Sequence, residues 1–271
     1  MICRVKDITV YYEEIGQGKP IVMIHGYAPD HRLMTGCMEP VMRGYKNYRR
    51  IYLDLPGMGR SGSADWINGS DDMLDVVLRV LDRLIPSEHF LLVGESYGGY
   101  LARGILYQKR EQIDGVLFIC PVILPENEER NTPPHTALMR DTDFLAGLSP
   151  EEAEEFQESF IVQNEETYRR YQAEILPGIQ AADHDFLSRV RKKYAFSFPV
   201  DKTEREEFPR PALFLLGRQD SCVGYQDAWE ILRNYPRATF AVLDLAGHNL
   251  QIEQGKLFAD LVKDWISRTE G

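Results

Sequence analysis

The sequence is short of cysteine, of basic charge and of long apolar runs. Its four cysteines, Cys3, Cys37, Cys120 and Cys222, are scattered, with no C-x-x-C pair and no histidine at ligand spacing. That supports neither a disulfide framework nor a zinc site, so no metal is expected and a reducing cytoplasm is the default location. Acidic residues number 42 against 31 basic ones, a net charge of −11. Such a balance repels polyanions, so neither nucleic acid nor an anionic membrane is an expected partner. The longest apolar run, Gly115 to Leu124, contains a proline. It is far short of the roughly 20 residues that a transmembrane helix needs. The first residues, Met-Ile-Cys-Arg-Val-Lys-Asp, lack the apolar segment of a secretion signal. Internal repeats and low-complexity tracts are also missing.

What is there is an alternation. Short apolar runs, read as strands, fall at Thr9–Glu13, Ile21–Ile24, Arg50–Leu53, Phe90–Val93, Val116–Ile119, Leu213–Leu216 and Thr239–Leu243. Several are apolar at consecutive positions, as strands are when helices cover both faces of a sheet. Amphipathic stretches lie between them, at Asp72–Leu84, Tyr97–Arg110, Tyr225–Asn234 and Leu250–Arg268. In the first of these Met73, Val76, Val77, Val80, Leu81 and Leu84 form one stripe at helical spacing. The segment Tyr11-Tyr12 followed by Gly16-Gln-Gly18-Lys-Pro20 reads as a hairpin strand and its turn. Together these imply an α/β class fold with a mostly parallel central sheet flanked by helices.

One stretch breaks the alternation. Residues 125–207 show almost no strand signal and read as an inserted helical cap, which leaves 1–124 and 208–271 as the core. Ser149-Pro150-Glu151-Glu152 is a helix start, with a serine cap, proline at the first position and acids in the first turn. Further helices are expected at Glu165–Leu176, stopped by Pro177-Gly178, and at Gln180–Tyr194. The insert holds 19 acidic and 10 basic residues, so most of the net charge sits here. A solvated acidic surface accounts for it. Its aromatics, Phe144, Phe156, Phe160, Tyr168, Tyr171, Phe186, Phe196 and Phe198, read as either an apolar acyl site or plain core.

The segment Val93-Gly94-Glu95-Ser96-Tyr97-Gly98-Gly99 contains G-x-S-x-G. Five residues can match by chance, but here an apolar run precedes the motif and a helical stretch follows it. That is the strand–turn–helix setting in which the motif exposes a serine hydroxyl at a sheet edge. Gly94 and Gly98 lack the Cβ atoms that would keep strand and helix apart.

With this motif the chain resembles the α/β-hydrolase superfamily, in particular its single-domain members that carry a cap. The resemblance spans nearly the whole chain and rests on five stations in order. They are Ile24-His25-Gly26-Tyr27, Asp54-Leu-Pro56-Gly57-Met-Gly59-Arg60-Ser61-Gly62, Gly94–Gly98, Gly217-Arg218-Gln219-Asp220 and Gly247-His248. The resemblance implies Ser96 as nucleophile, His248 as base and Asp220 as the acid that orients the imidazole, in the chain order typical of the fold. Asp244 is a rival acid, but it lies four residues before His248 and better suits a loop-stabilising role. Where some members carry the acid after the sixth strand, this chain has Cys120-Pro121-Val122. The backbone N–H groups of Tyr27 and Tyr97 are the implied oxyanion donors, with His25, Gly26, Gly94 and Gly98 in support.

Gly57-Met-Gly59-Arg-Ser-Gly62 also satisfies the dinucleotide fingerprint G-x-G-x-x-G. That motif must open directly into a helix, and here Ser63 to Ser70 intervenes without helical periodicity. The expectation is therefore a serine hydrolase that needs no cofactor and acts on a small molecule, by acyl transfer on a small-to-medium carboxylic ester. The alternatives are an aminopeptidase or carbon–carbon bond hydrolase of the same fold, or a ligand-sensing protein on the same scaffold. Epoxide hydrolases and haloalkane dehalogenases place aspartate at the elbow. Proline iminopeptidases resemble G-G-S-W-G there, and ring-fission hydrolases often have tryptophan after the histidine, where this chain has Asn249.

Overall fold

A computed structural model describes residues 1–201 and 207–270. Residues 202–206, the end of the expected insert, lie outside the described residues. In chain order the strands are β1 (Ile2–Val5), β2 (Ile8–Gly16), β3 (Lys19–Ile24), β4 (Tyr48–Leu53), β5 (Phe90–Glu95), β6 (Ile113–Ile119), β7 (Met139–Arg140), β8 (Val162–Gln163), β9 (Ala212–Gly217) and β10 (Ala238–Leu243). The helices are α1 (His31–Met42), α2 (Ser70–Leu84), α3 (Tyr97–Lys109), α4 (Thr142–Ala146), α5 (Pro150–Ser159), α6 (Glu165–Glu174), α7 (Leu176–Ala181), α8 (His184–Arg191), α9 (Gln226–Ile231), α10 (Leu250–Glu253) and α11 (Gly255–Thr269).

Eight strands form one sheet in the order β1-β2-β4-β3-β5-β6-β9-β10. From β4 to β10 all neighbours are parallel. Strands β3, β5, β6 and β9 are almost wholly buried, which explains their unbroken apolar runs. All seven strands expected from sequence are present.

One expectation is corrected at the antiparallel edge. The hairpin partner of β2 is β1, paired Ile2 to Tyr11 and Val5 to Ile8. β2 does not pair with β3, because β4 lies between them and bonds to both. Gly16 and Gly18 do turn the chain at positive φ, 81° and 109°, but they carry it across a neighbouring strand. Helix α1 was not foreseen, because Gly36 and Pro40 weaken its local propensity. Its apolar face, Leu33, Met34, Cys37, Met38 and Val41, still follows helical spacing, and the Asp30 side chain caps it by accepting the Arg32 N–H. The expected final helix is broken into α10 and α11 at Gln254, just before Gly255.

Between β6 and β9 the described residues form five α-helices, α4 to α8. Helix α5 starts as expected, with a capping box between Ser149 and Glu152. Pro177 ends α6 by opening the short helix α7, where it occupies the first turn, and so does not act as a simple stop. The expected helix at Gln180–Tyr194 contracts to α8, capped by Asp183. The segment is not strand-free: β7 and β8 make one short parallel pair. Phe156, Phe160, Tyr168 and Tyr171 pack on one another, so these aromatics are the insert's own core.

A buried arginine ties both ends of the insert to the sheet. Arg103 of α3 is 2% exposed. It donates to the carbonyls of Val122 and Ile123, where the chain leaves β6, and to the Asp201 carboxylate on the return path. A buried guanidinium is tolerated only when its donors are satisfied in this way. Arg103→Ala strands two carbonyls and a carboxylate, and is expected to cost about 2–4 kcal/mol. Urea unfolding of the variant against wild type measures this.

Candidate active site

The site lies where the parallel strands end. β3 runs beside β5 with Ile24 opposite Gly94, so the loop after β3 meets the turn after β5. The crossing is close: a Cβ on Gly98 would sit 2.2 Å from the Ile24 carbonyl oxygen, and one on Gly94 would sit 2.4 Å from that of Gly98. Only glycine fits at both positions. Ser96 takes φ 51° and ψ −115°, a conformation that L residues adopt only under strain. Its amide donates to Ile119 O at 2.9 Å, and its carbonyl accepts from Val122 at 3.0 Å and Tyr100 at 3.1 Å. The turn is thereby fixed from both sides.

Ser96 Oγ lies 2.9 Å from His248 Nε2, and His248 Nδ1 lies 2.9 Å from Asp220 Oδ2. An ionised carboxylate only accepts, so Nδ1 carries the proton and Nε2 is free to take one from the serine. Asp220 is fully buried, and its other oxygen accepts from the amides of Cys222 at 2.8 Å and Val223 at 2.9 Å. Burial opposes its charge, but His248 and these amides hold its carboxyl below the usual range. Burial likewise works against a charged His248, and the neighbouring Cys222 and Asp220 outweigh it and raise the imidazole well above its ordinary value. Asp244 stands apart from the imidazole and accepts from the Gln219 side chain at 2.9 Å.

His25 is fully buried and is not beside the serine. Its Nε2 accepts the Leu55 amide at 3.0 Å, and Nδ1 lies 2.7 Å from Gly26 O. Burial lowers its pKa and keeps it neutral, as these contacts require. It therefore pins the loop after β3 to the loop after β4. Tyr97 opens α3, where a backbone N–H has no intrahelical acceptor. Tyr27 follows Gly26 on the facing loop, and the two tyrosine rings meet edge-on at 5.1 Å. The loop at Gly57–Gly62 leads to no helix before Ser70, and Asp54 holds it by accepting the Arg60 amide at 2.8 Å.

A sequence model of the Alpha/beta hydrolase family matches residues 21–261. The chain belongs to the alpha/beta hydrolase family. Its fold matches that of an alpha/beta superfamily hydrolase from Oenococcus oeni PSU-1 with a TM-score of 0.90, at 29% identity and over 100% of both chains. It is 26% identical to the 2-hydroxymuconate semialdehyde hydrolase of Pseudomonas sp. (strain CF600), covering 97% of this chain and 92% of that protein. It is 24% identical to the pimeloyl-[acyl-carrier protein] methyl ester esterase of Shewanella woodyi, covering 96% of this chain and 98% of that protein. No described helix of this hydrolase is long and apolar enough to cross a membrane.

Two residues, Glu95 and Glu253, and several contacts at the site were not singled out from sequence. Glu95, beside the serine, is buried and close to His248. Glu253 accepts the amides of Gly247 at 2.6 Å and Ile161 at 2.6 Å, and so joins the histidine loop to the insert. The Tyr27 hydroxyl donates to Leu187 O, which joins the loop after β3 to α8. Cys120, Asp220 and His248 place one potential ligand atom each within 4.8 Å, a cluster invisible in the spacing. Burial is the main cause that pushes the Cys120 thiol far up, with the Asp220 charge adding to it. No motif encodes these contacts; only the packing of distant segments reveals them.

The two aspartates separate by experiment. Asp220→Asn removes the group that fixes the imidazole tautomer. It is expected to slow covalent labelling of Ser96 by a fluorophosphonate by ~10³–10⁴-fold. Asp244→Asn, in an exposed loop, is expected to stay within about 3-fold of wild type. Equal effects in both variants would reject the assignment.

Proposed function

We propose that this hydrolase acts by two-step acyl transfer from Ser96, most readily on a small-to-medium carboxylic ester. The observation that supports the reading is the unbroken run of 2.9 Å contacts from Ser96 Oγ through His248 to buried Asp220. In the first step Ser96 Oγ attacks the ester carbonyl while Nε2 takes its proton. The backbone N–H groups of Tyr27 and Tyr97 are proposed to receive the developing oxyanion, each donor worth about 3 kcal/mol or more. The imidazolium, balanced by Asp220, protonates the departing alkoxide, and the bond from the carbonyl carbon to the alcohol oxygen breaks. Water then attacks the acyl-enzyme with Nε2 as base, and Ser96 regains its proton as the acid leaves. Apart from the ester and water, every group in these steps belongs to the chain.

The helical insert is proposed to cap the serine and shape the acyl pocket, with residues 125–207 as its bounds. The contacts of Glu253 and Tyr27 favour this, since they join the insert to the loops that carry His248 and the proposed oxyanion donors. A cytoplasmic, small-molecule role fits the acidic charge and scattered cysteines.

A second reading has its own support. One relative is named a 2-hydroxymuconate semialdehyde hydrolase, so carbon–carbon bond cleavage belongs to similar chains. Against it, Asn249 follows His248, and its side chain is taken up in a hydrogen bond to Ser159 O at 3.0 Å. The esterase named among the relatives favours the ester.

Labelling with a fluorophosphonate, followed by kcat/KM across p-nitrophenyl esters of rising chain length, tests the proposal. Wild type is expected to label and to turn over the short esters. Ser96→Ala and His248→Ala are expected to lose at least ~10³-fold. If a ring-fission dienoate is cleaved with kcat/KM about 100-fold above the best ester, the carbon–carbon reading replaces this one. If folded wild type does not label, a ligand-sensing role on the same scaffold moves ahead.

A further inference from the structure

Asp220 is not the only carboxyl group against His248. Glu95 is the last residue of β5 and the variable position of G-x-S-x-G. It is 2% exposed, and its Oε1 lies 3.6 Å from His248 Nε2, the atom that also faces Ser96 Oγ at 2.9 Å. Its Oε2 is buried without a hydrogen-bond partner. It occupies space that exists because residue 26 is glycine: a Cβ there would come within 2.4 Å of Oε2. The imidazole is thus flanked by a carboxyl group on each ring nitrogen.

We infer that Glu95 is a positioning residue that acts through His248: its charge, set against Nε2, holds the imidazole in the protonated form and fixes the lower pH limit of Ser96 activation. The inference deepens the acyl-transfer reading and rests on it for its consequence, though not for the coupling itself. Asp220 and Glu95 differ in what they do to the ring. Asp220 bonds Nδ1 and leaves Nε2 open. Glu95 lies beside Nε2 and competes with Ser96 for the proton there. An ionised Glu95 stabilises the imidazolium, which cannot accept the serine proton. A neutral Glu95 removes that contribution, and Cys222 and Asp220 then set how far the imidazole stays raised.

The groups facing Glu95 come from four elements. His248 approaches from the loop after β10 and Asp220 from the loop after β9. The Gly26 amide faces it from the loop after β3, and the Cys37 thiol from α1. Burial raises the Glu95 carboxyl, His248 lowers it, Asp220 raises it and the Gly26 amide lowers it, with the balance at about 7. Its charge therefore changes in the range where a histidine base works. Sequence alone would not show this, because position x of the motif accepts many residues.

The experiment is a titration of His248 by NMR of the imidazole protons, in wild type and in Glu95→Gln, beside the pH profile of fluorophosphonate labelling. Gln keeps the shape and removes the charge. The His248 midpoint is expected to fall by about one pH unit or more, and the acid limb of labelling to fall with it. Glu95→Asp, which withdraws the charge by one methylene, is expected to give a smaller shift in the same direction. It also serves if Gln impairs folding. A purely structural Glu95 would change stability or labelling amplitude and leave both midpoints in place. That result, in folded variants, overturns the proposal. A shifted His248 midpoint in a protein that never labels upholds the coupling and rejects the acyl-transfer reading.

Discussion

The approach of two backbones at the end of the sheet controls the rest of this molecule. Strand β5, the turn at Ser96 and helix α3 pass so close to β3 that neither Gly94 nor Gly98 has room for a methyl group. Close approach is what lets one serine carry a positive φ in a buried turn, because carbonyls and amides on both sides hold it there. It also brings the loop after β3 against the first turn of α3, where unsatisfied N–H groups point outward. A hydroxyl, a set of donors and an imidazole then converge without any one element supplying all three. Strands β3, β5, β9 and β10 each end in one part of the site, and their parallel register brings those ends to the same edge.

The insert is coupled to this edge by polar contacts. Arg103 gathers its two ends, Glu253 bonds its backbone to the His248 loop, and the Tyr27 hydroxyl reaches α8. A stack of rings adds area: Tyr97 and Tyr194 lie 4.8 Å apart, and Tyr100 stacks on Phe196 at 4.2 Å. The side chains of Tyr27 and Tyr97 therefore link the insert to the loops beside Ser96.

The elements that read clearly in the sequence are those whose pattern is local. Seven strands announced themselves because burial on both faces demands unbroken apolar runs, and the elbow did so because steric closeness demands glycine. Asp220 and His248 were placed by family order, and the fold brings them to 2.9 Å. What escaped was non-local or locally weak. Helix α1 contains Gly36 and Pro40 and is held by tertiary burial of its apolar face. β1 is four residues long and shows only an alternation of exposed and buried positions. The passage of the chain from β2 past β4 to β3 depends on pairing at a distance, and no turn residue encodes it. Glu95 and Glu253 escaped for the same reason: a lone glutamate looks solvated until the chain folds around it.

That pair of glutamates, with Asp220 and His248, also sets how the site weighs on stability. Asp220 titrates below its unfolded value, so its contribution is present above that value and lost as pH falls through the folded one. His248 titrates above its unfolded value, so its contribution is full in acid and is lost as pH rises through the folded one. Glu95 and Glu253, both raised to about 7 chiefly by burial, behave like His248: they favour the fold when neutral and oppose it as they ionise. The four groups together favour a mildly acidic protein. A serine nucleophile needs a neutral imidazole, which lies on the other side of those transitions. The pH at which Ser96 is best activated is therefore one at which the site has given up part of its contribution to the fold. The neutral Glu253 gives weaker anchorage than the ion for the amides of Gly247, Ile161 and Val162, and the ion costs more to bury. The insert contact and the site glutamate thus change charge in the same range, because burial is the main cause at each and Asp220 adds to both.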